Sequence, residues 1–314
     1  MSDTPAIQTV GLTKDYGDFR ALDGLDLEVR RGEVFGFLGP NGAGKTTMIR
    51  TILDLLRPTA GSASILGMDS HRQAVEIRRH IGYLPGDLSM YPNLTGHDTL
   101  TYFANLRGGV DWSVVNELAE RLDADLTKKV GDHSTGNRQK IGLIQAFMNT
   151  PDVIIMDEPS TGLDPLVQQE FQAMMREVAA AGRTVFLSSH TLSEVQRAAH
   201  RVGIIRGGLL VDVESVTDLR SKALRTVEMA FADPVAADAF STVEGVSNVR
   251  VVDRTVTLSF EGHMQALIAE ATSGRQLIDI STGEADLEEI FLAYYRTDGP
   301  DDVHTPAADA EVRT

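Results

Sequence analysis

A glycine-rich stretch at residues 39–47 carries the clearest chemistry in the chain. It reads Gly-Pro-Asn-Gly-Ala-Gly-Lys-Thr-Thr and matches the pattern GxxxxGK[ST]. In this pattern a flexible loop turns backbone N–H groups toward phosphate oxygens, and the following helix adds its positive end. We expect Lys45 to reach the β- and γ-phosphates of a nucleotide and the Thr46 hydroxyl to bind Mg²⁺. The predicted phosphate-binding loop consists of Gly39, Pro40, Asn41, Gly42, Ala43, Gly44, Lys45, Thr46 and Thr47.

Two adjacent carboxylates follow an apolar stretch at residues 153–156, which reads Val-Ile-Ile-Met. A buried strand that ends in aspartate is where a protein with a phosphate loop places a second Mg²⁺ contact, and we assign this role to Asp157. Glu158 lies one residue farther, toward the place where a water would attack the γ-phosphate. We therefore expect Glu158 to act as the general base or to orient that water.

Alternating strands and helices must position these residues. Residues 33–38 form a short apolar strand before the loop, and residues 47–56 have apolar positions at helical spacing, with Pro58 ending that helix. The later alternation predicts a parallel sheet with crossover helices. Its strands are at 153–156, 184–188 and 201–205, and its helices at 165–180 and 192–199. A one-sided alternation near the N-terminus predicts a sheet with one wet face, with strands at 7–12 and 21–29.

Two regions depart from this alternation. Residues 86–150 carry three consecutive helical patterns, at 96–106, 112–122 and 136–148, which predict an all-helical insert. From residue 226 the order is βαββαβ, which is typical of a ferredoxin-like module. Its predicted strands are at 226–232, 246–252, 255–260 and 275–280, and its helices at 234–243, 263–272 and 286–295. Residues 298–314 are rich in Pro, Asp and Ala and poor in apolar residues, so we expect a disordered acidic tail.

Composition excludes several function classes. The chain has 314 residues, a net charge of −16 and no cysteine. A strongly acidic chain argues against a general nucleic-acid binder, which would show a basic patch. The absence of cysteine excludes disulfides and thiolate metal sites. No apolar run is long enough to cross a bilayer, so work at a membrane would require another chain to supply the spanning helices.

The order of the motifs resembles the ATP-binding subunit of an ABC transporter over residues 5–220. The matching elements are the loop at 39–47, a degenerate signature at 133–137, the strand with Asp157 and Glu158, Thr161-Gly-Leu-Asp164 and Ser188-Ser-His190. The last part, with Asp286-Leu-Glu-Glu-Ile-Phe-Leu292, resembles bacterial ABC-2 type drug exporters of the daunorubicin- and tetronasin-resistance kind. The resemblance implies an α/β fold, in which a P-loop ABC ATPase core of parallel sheet and antiparallel β subdomain carries a helical insert and a small C-terminal α+β domain.

The resemblance also assigns roles in a site for ATP and Mg²⁺. Tyr16 resembles the aromatic residue that stacks on adenine, and His190 the histidine that hydrogen-bonds the γ-phosphate. Asp164 resembles an aspartate at the seam between two copies. Ser134 and Gly136 would face the γ-phosphate bound by the second copy. The implied catalytic residues are therefore Lys45, Glu158 and His190.

Two positions depart from the family pattern. The signature is commonly Leu-Ser-Gly-Gly-Gln, whereas residues 133–137 read His-Ser-Thr-Gly-Asn, and Thr135 narrows the close approach that glycine allows. Gly86 stands where the family usually has Gln or Glu, and glycine can neither bind Mg²⁺ nor orient water. Either Asp87 substitutes for the missing side chain, or Gly86 serves as a hinge.

The implied organisation is an ATP-binding domain at residues 1–222, a helical subdomain at about 86–150, an accessory domain at 223–297 and a tail at 298–314. The implied partners are a membrane-spanning permease and a second copy of the chain, without nucleic acid. The implied location is the cytoplasmic face of a bacterial membrane. Residues 88–95 with Tyr102 and Phe103 either contact the permease or form the insert's own core.

The function implied is ATP hydrolysis that drives export of a drug, an antibiotic or a lipid-like compound. An importer remains an alternative, and so does a soluble ABC ATPase, although a ribosome-acting ATPase should carry two cassettes. A chromosome ATPase would need a long coiled coil, and only about fifty residues separate Gly86 from Ser134. A non-catalytic binding or regulatory module that has lost its ATPase site is a further alternative, but the presence of Lys45, Asp157 and Glu158 argues against it.

Overall fold

The computed structural model describes residues 4–222, 225–236, 238–240 and 242–283. The first part of the chain alternates short strands and helices around two sheets. Its elements are β1 (Ile7–Tyr16), β2 (Phe19–Val29), β3 (Val34–Leu38), α1 (Lys45–Ile52), β4 (Ala60–Ile65), β5 (Met68–Asp69), α2 (Ala74–His80) and β6 (Ile81–Leu84).

The helical insert follows, with α3 (Gly96–Leu106), α4 (Trp112–Arg121) and α5 (Thr135–Phe147). The boundaries have local causes. Thr95 caps α3 in a reciprocal capping box with Asp98, and Asp111 accepts a hydrogen bond from the Ser113 N–H at the start of α4. All three helices lie within two residues of their predicted bounds.

The chain then returns to the central sheet. Its elements are β7 (Val153–Asp157), α6 (Pro165–Ala180), β8 (Thr184–Ser189), α7 (Leu192–Val195), β9 (Arg201–Arg206), β10 (Leu209–Ser215) and α8 (Val216–Lys222). The six-stranded sheet has the order β10-β9-β3-β8-β7-β6, and every pair except β10–β9 is parallel. The predicted parallel sheet is therefore present, with an antiparallel strand at its edge.

A second sheet has the order β2-β1-β4-β5 and is antiparallel. It shares an apolar cluster with one face of the central sheet, in which Phe35, Phe37 and Phe186 are fully buried. The opposite face of the central sheet packs with the helical insert and α6 in a larger cluster. These two clusters hold the loop after β3 and the ends of β7 and β8 at fixed positions.

Residues 225–283 form a third sheet with its own apolar cluster around Phe231, Phe240 and Phe260. The elements are β11 (Arg225–Phe231), β12 (Val246–Val252), β13 (Thr255–Phe260), α9 (Met264–Ala271) and β14 (Leu277–Thr282). The order β12-β13-β11-β14 is fully antiparallel, as expected for the predicted ferredoxin-like module. The predicted helix at 286–295 and the tail at 298–314 lie outside the described residues, and the domain boundary at 222–223 stays a prediction.

Several predicted elements are wrong in extent or type. Helix α1 ends at Ile52 rather than near Pro58, because Asp54 takes a left-handed conformation (φ 57°) and the Leu55 and Leu56 N–H groups donate to the Arg50 carbonyl. The predicted helix at 192–199 is limited to Leu192–Val195, since the Ala198 and Ala199 N–H groups share the Val195 carbonyl.

The helix predicted at 234–243 is not formed by the described residues of that range. They make separate turns instead, closed by hydrogen bonds from Ala239 to Ala236 and from Val243 to Phe240. Strand β10 was not predicted; it pairs with β9 across a turn in which Gly207 and Gly208 both have positive φ. None of the helices in the described ranges is long and apolar enough to cross a membrane.

Candidate active site

The predicted phosphate loop, the two carboxylates and His190 meet at the carboxyl ends of three neighbouring parallel strands. Gly39 follows β3, Asp157 ends β7 and Ser189 ends β8, and the Gly39 N–H donates to the Ser189 carbonyl at 3.2 Å. The carboxyl edge of a parallel sheet is where open α/β folds bind their ligands. The sheet therefore brings the loop and the two carboxylates to one edge.

The loop at 39–47 needs glycine at two positions for steric reasons. A Cβ on Gly44, whose φ is 110°, would lie 2.7 Å from the Ala21 carbonyl oxygen. A Cβ on Gly39 would lie 2.6 Å from the carbonyl oxygen of Ile205. The loop leads directly into α1, which begins at Lys45, so the N–H groups of the first helical turn face the loop.

The Lys45 side chain is buried across the loop. Its ammonium donates to the carbonyls of Gly39 at 2.6 Å and Pro40 at 3.2 Å. It also lies 3.2 Å from Glu158 Oε1, and this contact is an ion pair without hydrogen-bond geometry. The cation thus joins the phosphate loop to the second carboxylate.

Asp157 is fixed by two hydroxyl groups. Thr46 Oγ1 donates to Asp157 Oδ2 at 2.7 Å, and Ser188 Oγ donates to Asp157 Oδ1 at 2.5 Å. The carboxylate is 1% exposed, and a buried charge needs such partners. Hydroxyl and carboxylate oxygens are the ligands that Mg²⁺ prefers, so Thr46 and Asp157 could hold this cation together.

Glu158 lies between Lys45 and His190. Its Oε2 atom is 2.8 Å from His190 Nδ1, and its backbone has φ 50°, in the left-handed region. The His190 imidazole is half exposed. The arrangement places a carboxylate and an imidazole in direct contact beside the phosphate loop, which is suited to orienting and deprotonating a water.

Tyr16 ends β1, an inner strand of the second sheet, and pairs with Phe19 at the start of β2. Its ring is 46% exposed, and the Lys14 ammonium lies 5.2 Å from the ring centroid. A half-exposed aromatic ring can stack on a nucleotide base. Strands β1 and β2 are both longer than predicted, and only Gly17 and Asp18 form the turn between them.

The signature residues lie on another part of the surface. Ser134 caps α5 and accepts a hydrogen bond from the Asn137 N–H at 3.2 Å. A Cβ on Gly136 would lie only 2.5 Å from the Gly162 carbonyl oxygen, so α5 begins in close contact with the segment that leads to Asp164. Within the described part of the chain, no hydrogen bond or ion pair joins Ser134, Gly136 or Asp164 to residues 39–47.

Gly86 lies against the first carboxylate. A Cβ on this residue would be 3.1 Å from Asp157 Oδ2, so the loop after β6 approaches the predicted metal ligand through bare backbone. Asp87 is exposed, and whether it replaces the missing side chain stays a prediction.

Two residues at the site were not assigned a role from the sequence. Ser188 contacts Asp157 directly, and the signal was a buried polar residue at the end of an apolar strand. Tyr83, on β6, lies near both Asp157 and Arg50. Burial raises the pKa of the Tyr83 hydroxyl, and the negative charge of Asp157 raises this pKa further.

The aromatic residues of the insert divide between core and surface. Phe103 packs against the large apolar cluster. Tyr91 and Tyr102 are 60% and 44% exposed, and their rings meet edge to face with centroids 6.0 Å apart. Phe103 therefore belongs to the apolar core, as one of the two predicted alternatives states. Tyr91 and Tyr102 form an exposed aromatic surface instead.

Comparison with known proteins agrees with this geometry. A family model described as ABC transporter matches residues 22–161. Over 291 residues the chain is 32% identical to the bacitracin transport ATP-binding protein BcrA of Enterococcus faecalis, covering 91% of this chain and 94% of that protein. The chain belongs to the ATP-binding subunits of ABC transporters.

Other relatives of this ABC family subunit support the same assignment. This chain is 34% identical to the daunorubicin resistance ATP-binding protein DrrA3 of Streptomyces coeruleorubidus, and the alignment covers 93% of this chain and 96% of that protein. Among solved structures, an ATP-binding subunit of an ABC transporter superposes with a TM-score of 0.63 at 29% identity, covering 69% of this chain and 92% of the other. The ABC cassette MJ0796 shares the fold, with a TM-score of 0.62 at 23% identity. The activity of the chain is ATP hydrolysis coupled to transport.

Proposed function

We propose that this ATPase powers export of an antibiotic, another drug or a lipid-like compound through a separate membrane subunit. The observation that carries the proposal is similarity along nearly the whole length of bacitracin-transport and daunorubicin-resistance subunits. This similarity extends beyond the nucleotide-binding residues, which all ABC ATPases need.

The nucleotide site is proposed to use the residues gathered at the sheet edge. The loop N–H groups and Lys45 bind the phosphates, and Tyr16 stacks on adenine. The residues present fit Mg²⁺, because Thr46 and Asp157 bring two oxygen ligands within 2.7 Å of each other in a partly buried position. When bound, Mg²⁺ neutralises negative charge on the β- and γ-phosphates.

Glu158 and His190 are proposed to handle the attacking water. Glu158 accepts its proton as general base, or orients it, while His190 donates a hydrogen bond toward the γ-phosphate. The contact between Glu158 Oε2 and His190 Nδ1 at 2.8 Å holds these two side chains next to each other. ATP must compete with Glu158 for the Lys45 ammonium, because both partners are anionic.

A second copy of the chain is proposed to complete each site. Ser134 and Gly136 open α5, a helix of 13 residues whose N-terminal N–H groups favour an anion. Among the described residues they make no hydrogen bond or ion pair to the loop of their own chain, so a second copy is the natural source of the phosphate they would face. Asp164 then lies at the seam between the copies.

The exposed rings of Tyr91 and Tyr102 are the proposed contact with the membrane subunit. Exposed aromatic pairs are common at the centre of protein interfaces. Such a contact would hold the chain at the cytoplasmic face of the membrane. Residues 225–283 are proposed to be an accessory module that stabilises or regulates the dimer.

The test is drug tolerance in a sensitive bacterium. The gene is expressed together with the gene of its membrane subunit, sought among the neighbouring reading frames. Growth inhibition is measured with bacitracin and with daunorubicin as probes. Raised tolerance that disappears in the Glu158→Gln variant supports export. Unchanged tolerance to both probes, together with ATP-dependent accumulation of a solute by cells or vesicles, would contradict it and favour import.

A further inference from the structure

Ser188 is a polar residue in a fully buried strand. It is the fifth of the six residues of β8, all of which are buried, and its own exposed fraction is 0%. A hydroxyl without access to solvent is retained at a cost unless it forms hydrogen bonds. The partners of Ser188 are therefore informative, and both belong to the pair of carboxylate residues at the end of β7.

The first partner is the Asp157 carboxylate. Strands β7 and β8 are parallel, and their register places Asp157 directly opposite Ser188. Ser188 Oγ donates to Asp157 Oδ1 at 2.5 Å, while Thr46 Oγ1 donates to Oδ2 at 2.7 Å. Since Thr46 is itself a proposed Mg²⁺ ligand, Ser188 is the hydroxyl whose role toward Asp157 is to fix its orientation.

The second partner is the backbone of Glu158. This residue has φ 50°, a conformation that non-glycine residues adopt only when their surroundings hold them there. The Glu158 N–H donates to Ser188 Oγ at 3.1 Å and to the Ser188 carbonyl at 3.3 Å. One serine thus holds both the orientation of Asp157 and the backbone conformation of Glu158.

We propose that Ser188 is a positioning residue that sets the Mg²⁺ affinity of the ATP site and the placement of the base. The proposal rests on the Mg²⁺–ATP site proposed above. Ser188 acts through its two partners, because its hydroxyl already donates to Asp157 and accepts from the Glu158 N–H. Its hydroxyl is the only part required, so threonine should replace it and alanine should not.

Ser189 offers a matched control on the same strand. It is equally buried, with an exposed fraction of 0%. Its hydroxyl donates to Glu194 Oε2 at 2.7 Å and accepts from the Thr191 N–H at 3.0 Å. It makes no hydrogen bond to Asp157 or Glu158 among the described residues. Loss of this hydroxyl therefore reproduces the loss of a buried hydrogen bond without disturbing the carboxylates of Asp157 and Glu158.

The experiment measures nucleotide binding and hydrolysis by the full chain. Wild type, Ser188→Ala, Ser188→Thr and Ser189→Ala are titrated with a fluorescent ATP analogue, first with excess EDTA and then with Mg²⁺. The Mg²⁺ concentration for half-maximal hydrolysis is measured in parallel. Removing one hydrogen bond to a charged group changes an equilibrium by about tenfold or more. For Ser188→Ala we expect the Mg²⁺-dependent gain in affinity to fall by about tenfold, and binding in EDTA to change by less than about twofold.

Ser188→Thr is expected to restore the Mg²⁺ dependence, and Ser189→Ala to leave it as in wild type. An unchanged Mg²⁺ dependence in Ser188→Ala would overturn the proposal, as would an equal loss in Ser189→Ala. If Ser188→Ala does not fold, Ser188→Cys carries the same prediction, because the thiol is a weak donor of similar shape. A wild-type chain that binds ATP equally well in EDTA and in Mg²⁺ would instead refute the Mg²⁺ site itself.

Discussion

Replacing Gly136 with alanine tests the contact between the signature and the segment before Asp164. The added Cβ would lie 2.5 Å from the Gly162 carbonyl oxygen, about 0.9 Å closer than an ordinary contact. The obstacle is backbone, and Gly162 itself has φ 77°, so neither side yields through a simple rotamer change. Overpacking of this kind costs about 1–3 kcal/mol.

The expected result is a lower stability together with weaker assembly. The cost corresponds to a decrease in Tm of roughly 2–12 °C for a domain of this size. To relieve the overlap, the Gly162 backbone must move, and with it the segment in which Asp164 caps α6. We therefore also expect weaker ATP-dependent dimerisation. Tm is measured by calorimetry, and dimerisation by size-exclusion chromatography of a hydrolysis-deficient background with ATP.

Thr135→Ala is the matched control. Thr135 precedes Gly136, and its Cγ2 atom would lie 3.5 Å from a Cβ on Gly162, which is an ordinary contact. Trimming an exposed side chain should change stability by less than about 0.5 kcal/mol. A Gly136→Ala variant with the Tm and the dimerisation of wild type would show that the two segments do not press on each other.

Two further variants test the edges of the site and of the fold. Tyr16→Ala should raise the Kd for ATP by about 5- to 150-fold, as loss of one stacking contact predicts. Tyr16→Phe should stay close to wild type, and Phe19→Ala, at the exposed neighbouring ring, is the control. An unchanged Kd in Tyr16→Ala would exclude stacking. Arg121→Ala should destabilise the domain by about 0.5–1 kcal/mol at pH 7, because Arg121 joins α4 to Glu170 and Glu177 on α6. The hydrogen bond from Arg121 lowers the pKa of Glu177, so this stabilisation is present above the ordinary carboxylate pKa and is lost as pH falls through the folded-state pKa. Urea unfolding at pH 7 and pH 3 should show the difference between the variant and wild type shrinking in acid, and an equal difference at both pH values would contradict it.

The helical insert shows how much local signals determine. Helix α3 begins and ends at the predicted residues, since Thr95 and Asp98 form its capping box and Gly108 and Gly109 follow with positive φ. The prediction that α1 ends near Pro58 is wrong. The helix is closed earlier, by a left-handed Asp54 that no residue pattern marks.

The composition of the site was predictable, but its contacts were not. Sequence motifs identify the main site residues because each motif directly follows a strand that ends at the same sheet edge. These residues are Lys45, Asp157, Glu158 and His190. The role of Ser188 depends on the register between β7 and β8, a long-range property absent from local sequence. The ion pair of Lys45 with Glu158 likewise depends on long-range packing, which the local sequence does not encode.

The Glu158→Gln variant tests whether Glu158 acts on the attacking water. The amide keeps the size of the side chain but cannot accept a proton from water, so hydrolysis should fall by about 10²–10⁴-fold. Binding of ATP should be retained or tightened, because the carboxylate that lies 3.2 Å from the Lys45 ammonium is removed. Glu194→Gln is the control, since Glu194 contacts Ser189 rather than Lys45 or His190. Single-turnover hydrolysis near the wild-type rate in Glu158→Gln would contradict the assignment.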